Sequence, residues 1–269
     1  WLTKNPLVPE KSVWQDEAAS SINLKLNADK CKLMCFAPKK LRMAIANNID
    51  IRIGNKKLPV LQTVKNLGLF IDDDFKFKSH VSNVIKKCYL ALKMLYSNFL
   101  ILNFKLRKKL CEALVLSHIN YCFIIYYPFL DFVDKNRLQK IQNNCCRFIF
   151  GLRKYDHVSA KIRELGWMKL DVVFQYHLAV FVYRLFKTPS PPYLRRKFRL
   201  RQSILDTNIP LRNLQQLSMP RFFTSIFCKS LSFNIIKSYN KFNSELLYCT
   251  SVNSFRKKIK NILLHSESS

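Results

Sequence analysis

Apolar residues change their spacing once along this chain, near Asp74, and the change separates two kinds of expected structure. Before it the runs are short. Leu33-Met34-Cys35-Phe36 has strand length, Ile49, Ile51 and Ile53 alternate up to Gly54-Asn55, and Leu58, Val60 and Val64 to Ile71 continue as extended chain. These predict a small antiparallel sheet. After Asp74, Val81, Val84, Ile85, Cys88, Leu92, Leu95 and Phe99 recur every three or four residues, one apolar stripe on a helix. Asn103 is placed to cap a second helix holding Leu106, Leu110, Ala113 and Leu114, and the largely apolar stretch from Cys111 to Leu130 reads as a buried core helix. A third helix is expected from Val133 to Phe150, with Leu138, Ile141, Cys145, Phe148 and Ile149 inward and Gly151 just past its end. Asp156 or Ser159 caps a short helix closed by Gly166, and Asp171 begins another that runs through Leu185. Pro189-Ser190-Pro191-Pro192 breaks the chain. Residues 204–220 then read as loop, and 221–239 and 254–264 as helices, the last with Phe255, Ile259, Ile262 and Leu263 on one side. The fold class expected is α+β, mainly α-helical.

Charge changes the picture more than composition does. Forty-six Lys and Arg against seventeen Asp and Glu give a net +29. A surplus of this size attracts polyanions, nucleic acid first and an anionic membrane surface second. It is spread along the chain. Lys76 to Arg147 carries thirteen basic residues against Glu112, Asp131 and Asp134, and Arg153 onward twenty-one against six. Lys86, Lys87 and Lys93 lie off the apolar stripe of the first helix, facing solvent or a ligand. Lys105, Arg107, Lys108 and Lys109 crowd the start of the second, where positive charge opposes the helix dipole. Such a start points either to an external anion or to a solvated helix end. Lys135, Lys140, Asn143, Asn144 and Arg147 give the third helix a polar face of the kind that grips sugar and phosphate, though a helical bundle also carries solvated faces of this composition.

The nine cysteines show neither a disulfide framework nor zinc-finger spacing, and they read as small buried hydrophobes in a reducing, intracellular compartment. The span from Cys111 to Leu130 is interrupted by Glu112, His118 and Asn120 and ends near Pro128, so no membrane segment is expected. Asp72-Asp73-Asp74 invites comparison with a two-metal polymerase site. That chemistry needs carboxylates converging from separate strands, and no distant acidic partner stands in a strand pattern. Three acids just before a helix are expected to cap it and to favour its dipole instead. His157 and His177 read as packed helix residues.

The segment from Leu26-Asn27-Ala28-Asp29-Lys30 to Lys65-Asn66-Leu67-Gly68, with Ile71-Asp72-Asp73 and His80, resembles the tail end of the reverse transcriptase of non-LTR retrotransposons of the jockey or LINE-like kind. Arg153-Lys154-Tyr155-Asp156-His157-Val158, Glu164-Leu165-Gly166-Trp167-Met168-Lys169-Leu170 and Pro192-Tyr193-Leu194 resemble the stretch that follows the thumb in the same elements. The likeness covers about residues 20 to 265. It implies the end of a palm over 21–74, a helical thumb over 75–150, a helical connector over 151–194 and a basic C-terminal region over 195–269, with 1–20 a linker or remnant. It implies that Lys30 lies near the incoming triphosphate and that Leu67-Gly68 is the primer-grip turn, where glycine lets the backbone approach the primer end. A surface lysine and an unliganded hairpin are the plainer alternatives. Asn66 stands where the family usually has Tyr, and Phe174 and Gln175 where it often has Arg.

Upstream of these motifs the 269 residues hold no Tyr-Ala-Asp-Asp stretch. The expectation is a polymerase's downstream part that binds RNA, DNA or an RNA–DNA duplex but has no catalytic residues of its own. Magnesium is expected only for an intact parent polymerase, and the upstream polymerase portion is a partner if a longer product exists. The alternative is a non-enzymatic nucleic-acid-binding or interaction protein derived from a decayed or domesticated element.

Overall fold

A computed structural model of the chain describes residues 27, 29–53, 55–188, 192–203, 215–221 and 224–266. Over these residues it is an α+β protein, mainly helical, with two small antiparallel sheets. The linker expected at 1–20 and most of the loop expected at 204–220 lie outside the described residues. The chain forms two compact units, Trp1–Phe75 and Lys76–Ser269.

The first unit opens with a helix that apolar spacing does not reveal. In α1 (Lys39–Asn48) Leu41 and Met43 are exposed, so there is no buried stripe. The helix rests on Lys, Leu, Arg, Met and Ala, all good helix formers, entered from Pro38. Strands β1 (Arg52–Ile53) and β2 (Lys56–Lys57) pair antiparallel around the expected turn, and β3 (Thr63–Asn66) pairs with β4 (Leu69–Asp72) as a second, separate hairpin. Leu33–Phe36 is not a strand. Leu33 makes one parallel bridge to Val60, its carbonyl accepting the Leu61 N–H at 2.9 Å. A continuous apolar run has no alternation to fix a register.

Two of the three aspartates expected at the helix start are engaged within the first unit. Asp72 is buried and accepts the Thr63 hydroxyl at 3.0 Å across the β3–β4 pair, and Asp73 pairs with Arg42 of α1 at 2.7 Å. Helix α2 (Lys78–Ser97) begins beyond them, with Phe77 at its cap in the left-handed region (φ 54°) and no side-chain cap bond. Two of these acids therefore knit the first unit together. Among the described residues no three His, Cys, Asp or Glu side chains gather in a metal-holding group.

In the second unit the stripe on α2 is buried from Val81 to Leu95 as the spacing requires. Asn103 caps α3 (Phe104–Leu110), its side-chain oxygen accepting the Leu106 N–H at 2.9 Å. The helix then widens through one π turn, Cys111–Leu116, into α4 (Ser117–Asn120). The single core helix expected to Leu130 breaks at Cys122, φ 54°, and the chain restarts as α5 (Phe123–Tyr126) and a 3-10 turn, Tyr127–Phe129. The Tyr126 hydroxyl donates to the Ile119 carbonyl at 2.6 Å, satisfying the broken end. Among the described residues no single helix is long and apolar enough to cross a membrane. The pair Phe104–Asn120 and Phe123–Phe129, bent by 41°, reaches that composition only together. Cys111, Val115, Ile119, Phe123 and Tyr126 of this pair are buried inside the protein.

Helix α6 (Phe132–Phe150) is capped by Asp131, which accepts the Asp134 N–H at 2.8 Å, and closed by left-handed Gly151. Leu138, Ile141, Cys145, Phe148 and Ile149 are fully buried. Helix α7 (Ser159–Glu164) ends at Gly166, but neither Asp156 nor Ser159 caps it. Asp156 instead accepts the Arg153 N–H at 2.7 Å in the preceding turn, because a tight turn offers its carboxylate a nearer donor. His157 is exposed in that turn and is not a packed helix residue, whereas His177 is half-buried on α8 (Leu170–Lys187). There follow α9 (Pro192–Arg195), α10 (Ser225–Lys229), α11 (Leu231–Lys241), α12 (Asn243–Tyr248) and α13 (Val252–Ser266). The helix expected over 221–239 is thus broken at Ser230, whose extended backbone and hydroxyl (to the Phe233 N–H, 3.3 Å) start a new helix.

Two packed regions make up this unit. In one, α2 lies on α6 and on the π turn. In the other, α8 packs on α11 and α13 through Leu178, Val182, Tyr183, Ile235, Phe255 and Ile259. Polar bonds join them: Trp167 donates to Glu112 at 2.8 Å, Gln142 to the Met168 carbonyl at 2.9 Å, and the Leu170 N–H to Gln139 at 3.0 Å.

Candidate nucleic-acid interface

Lys30, Leu67 and Gly68 belong to the first unit. Lys30 is exposed in a turn, its N–H bonded to the Asn27 carbonyl at 3.0 Å. Leu67 and Gly68 are the two central residues of the β3–β4 hairpin, between the paired Asn66 and Leu69. Both have positive φ, 46° and 86°, the geometry of a primed two-residue turn, whose twist matches that of the strands. Asn is the usual first residue of such a turn; here Leu67 occupies it and is 88% exposed. An aliphatic side chain is thus held in a strained backbone region and projected into water. Lys65, two residues before it, lies 5.6 Å from the Phe70 ring centre.

The other nine expected contacts lie in the second unit, and they divide by what they touch. Lys86, Lys87, Lys93, Lys105, Lys109 and Lys140 are exposed. Lys86 and Lys93 stand two turns apart on the side of α2 opposite its buried stripe, with Leu90 and Met94 exposed between and beside them. Lys105 and Lys109 are one turn apart on α3.

Arg107, Lys108 and Arg147 are half-buried and donate to groups of the protein itself. The Arg107 guanidinium reaches the carbonyls of Leu102 (2.8 Å), Phe99 (3.3 Å) and Ile149 (3.4 Å), and lies 3.6 Å from the Phe99 ring centre. Lys108 donates to the Leu165 carbonyl at 2.9 Å. Arg147 bonds Asn144 at 3.2 Å and the Asp156 carbonyl at 3.3 Å. Phe99, Ile149 and Leu165 sit at the ends of α2, α6 and α7, where unpaired carbonyls and the helix dipole favour a cation. The crowded basic start of α3 thus has a local explanation: two of its four charges serve the C-terminal ends of neighbouring helices. Residue spacing alone cannot show this, since those ends come from 42 and 57 residues away.

Lys135 and Asn143, also read onto the binding face, are committed as well. Lys135 pairs with Asp171 at 3.5 Å and lies 4.8 Å from the Tyr127 ring centre, and Asn143 accepts from Gln139 at 3.0 Å. The exposed apolar residues that accompany the lysines on α2 and continue at Leu100 (94% exposed) and Ile101 were not singled out by sequence. Their signal was present, as Leu90 and Met94 fall off the buried stripe. Comparison of the chain with family models, with curated proteins and with solved structures gives no match.

Proposed function

We propose that this chain is the downstream part of a non-LTR reverse transcriptase and that it holds nucleic acid by its backbone. The observation that carries this is the set of six exposed lysines on α2, α3 and α6, in a stretch where Arg107, Lys108 and Arg147 bond to backbone carbonyls and Lys135 and Arg137 pair with Asp171 and Asp134. Lysine is a flexible point charge that suits phosphate contact without base readout. RNA, DNA and RNA–DNA duplexes are therefore all ligands, with little sequence preference. The strained, exposed Leu67 beside Gly68 supports a hairpin tip that approaches the end of a strand. The chain does not polymerise by itself; magnesium serves only a longer product that carries the catalytic aspartates. The residence is intracellular and reducing, in keeping with nine free thiols, five of them buried.

The test is a titration of the full chain with a labelled RNA–DNA hybrid across a salt series. Binding should weaken with a log–log slope of about −0.9 for each phosphate neutralised. Lys86→Gln with Lys93→Gln should flatten that slope by about two contacts' worth, with no change in sequence preference. A salt-independent association would sink the proposal. Primer extension by the purified chain in magnesium would refute its inactive half.

A further inference from the structure

A cavity of about 270 Å³ opens in the second unit where α8, α11 and the Tyr127–Phe129 turn line a common space. Its apolar wall is aromatic: Tyr127, Phe174 and Phe242, the first two with ring centres 5.7 Å apart and planes 31° apart. Three lysines stand around it, Lys135, Lys237 and Lys241, against one lining acid, Asp171. That acid is occupied. It accepts the Tyr127 hydroxyl at 2.9 Å and pairs with Lys135 at 3.5 Å. Among the described residues Lys241 has neutral partners, the Gln175 side-chain oxygen at 3.0 Å and the Phe242 ring at 5.0 Å. Lys237 is exposed one helical turn before it.

Between the two lysines on α11 is Ser238, which also lines the cavity. It is 7% exposed, and its hydroxyl has no hydrogen-bond partner. Native proteins rarely leave a buried hydroxyl unbonded, and a helical serine has its own chain carbonyls within reach. An unused donor between two lysines is a place for an anion's oxygen.

The chemistry of the space narrows the ligand. A purely apolar molecule has no use for the lysines or the hydroxyl, and a bare inorganic anion would leave three aromatic rings facing water. At ~30 Å³ per water the cavity corresponds to about nine waters, room for a flat ring system beside one phosphate. We infer that it holds a single nucleotide unit. Lys237 and Lys241 take the phosphate, the Ser238 hydroxyl donates to a phosphate oxygen, and the base lies against Phe174 and Tyr127. The unit is either a free mononucleotide or the phosphorylated end of a strand. This site shares no residue with the six lysines of α2, α3 and α6, and it stands or falls separately from them.

The experiment is calorimetry on the full chain at physiological salt. The probes are adenosine 5′-monophosphate, adenosine, and an oligoadenylate with and without a 5′-phosphate. Adenosine should bind about tenfold more weakly than its monophosphate. Lys237→Gln with Lys241→Gln should cost the monophosphate a similar factor, while Lys86→Gln with Lys93→Gln leaves it unchanged. Ser238→Ala should weaken binding about threefold without lowering the melting temperature, since that hydroxyl has no protein bond to lose. Preference for the free monophosphate marks a mononucleotide site, and preference for the phosphorylated oligonucleotide marks a strand-end site; either supports the inference. Equal binding of adenosine and its monophosphate, wild-type affinity in the Lys237 and Lys241 variant, or no nucleotide binding up to millimolar concentration overturns it.

Discussion

Replacing Arg107 by methionine separates a fold residue from a ligand-binding one. Methionine keeps the apolar reach of the stem and removes the guanidinium. Three bonds disappear: one short, to Leu102 at 2.8 Å, and two long, to Phe99 at 3.3 Å and Ile149 at 3.4 Å, together with the face contact on the Phe99 ring. A short bond from a charged donor contributes about 1.5 kcal/mol and each long one about 0.5. The ring contact, half-exposed, adds about 0.5 kcal/mol. The sum is about 3 kcal/mol, a large share of the ~5–15 kcal/mol typical of a folded protein. For a chain of this size it corresponds to a fall of about 6–12 °C in melting temperature. Arg107→Lys should lose about two thirds as much, because an ammonium cannot fork to carbonyls lying in different directions. The assay is urea unfolding followed by circular dichroism, with hybrid binding measured well below the melting range. Binding should stay within about twofold of wild type, since a contacted phosphate is not among the lost partners. A variant that melts like wild type but binds tenfold more weakly would show that the guanidinium serves a ligand, and the assignment of Arg107 to the fold would be wrong.

Leu67→Asn should raise stability by about 1 kcal/mol, because Asn tolerates the left-handed backbone that costs an aliphatic residue roughly that much; a lower melting temperature would count against the hairpin geometry. The His177 imidazole is held below its usual 6.5 by burial and then by Arg256. Folded protein therefore binds fewer protons than unfolded, so the contribution is complete above pH 6.5 and is lost as pH falls through the lower, folded value. Urea midpoints at about pH 7.5 and 5.5 should differ less in His177→Phe than in wild type. Burial pushes the Cys88 thiol up to about 12 and the Cys146 thiol up to about 11, and raises Cys145 as well, after its bond with Cys111. These thiols should react with a disulfide reagent only on unfolding, whereas Cys228 reacts in the native protein; rapid native labelling of Cys88 would contradict the packing.

What the sequence disclosed and what it hid divide along physical lines. Helix α6 was legible to within a residue because two independent signals agree, a 3.6-residue stripe and a glycine after it; the Asp131 cap came from the structure. The α2 stripe was equally clear, whereas the apolar spacing ran straight through the β3–β4 turn, which only the resemblance and Gly68 marked. Helix α1 was hidden because most of its surface meets water, so nothing forces a stripe, and only propensity marks it. The breaks at Cys122 and Ser230 were hidden because neither residue is a usual breaker. At the first break the Tyr126 hydroxyl takes up the Ile119 carbonyl, and at the second a serine acts as the next helix's cap. The surroundings of the expected contact residues were half legible. Exposed lysines follow from helical phase, but the bonds of Arg107 and Lys108 to carbonyls 42 and 57 residues away depend on tertiary contacts that spacing does not encode.

Those bonds bear on how the chain would meet a polyanion. A cation bonded to a carboxylate is cancelled at a distance, whereas one bonded to a carbonyl keeps nearly its whole charge beyond a few ångströms. With seventeen acids for forty-six basic residues, carbonyl partners leave the +29 intact while withdrawing particular side chains from contact. The two roles of charge then separate. The long-range field, and so the rate of encounter, draws on every basic residue, including Arg107 and Lys108. The count of counterions released on binding draws only on side chains that can reach a phosphate, such as Lys86, Lys93 and Lys140. Neutralising an exposed lysine should therefore change both the association rate and the salt slope, while neutralising Arg107 in a still-folded variant should slow encounter slightly and leave the equilibrium slope where it was.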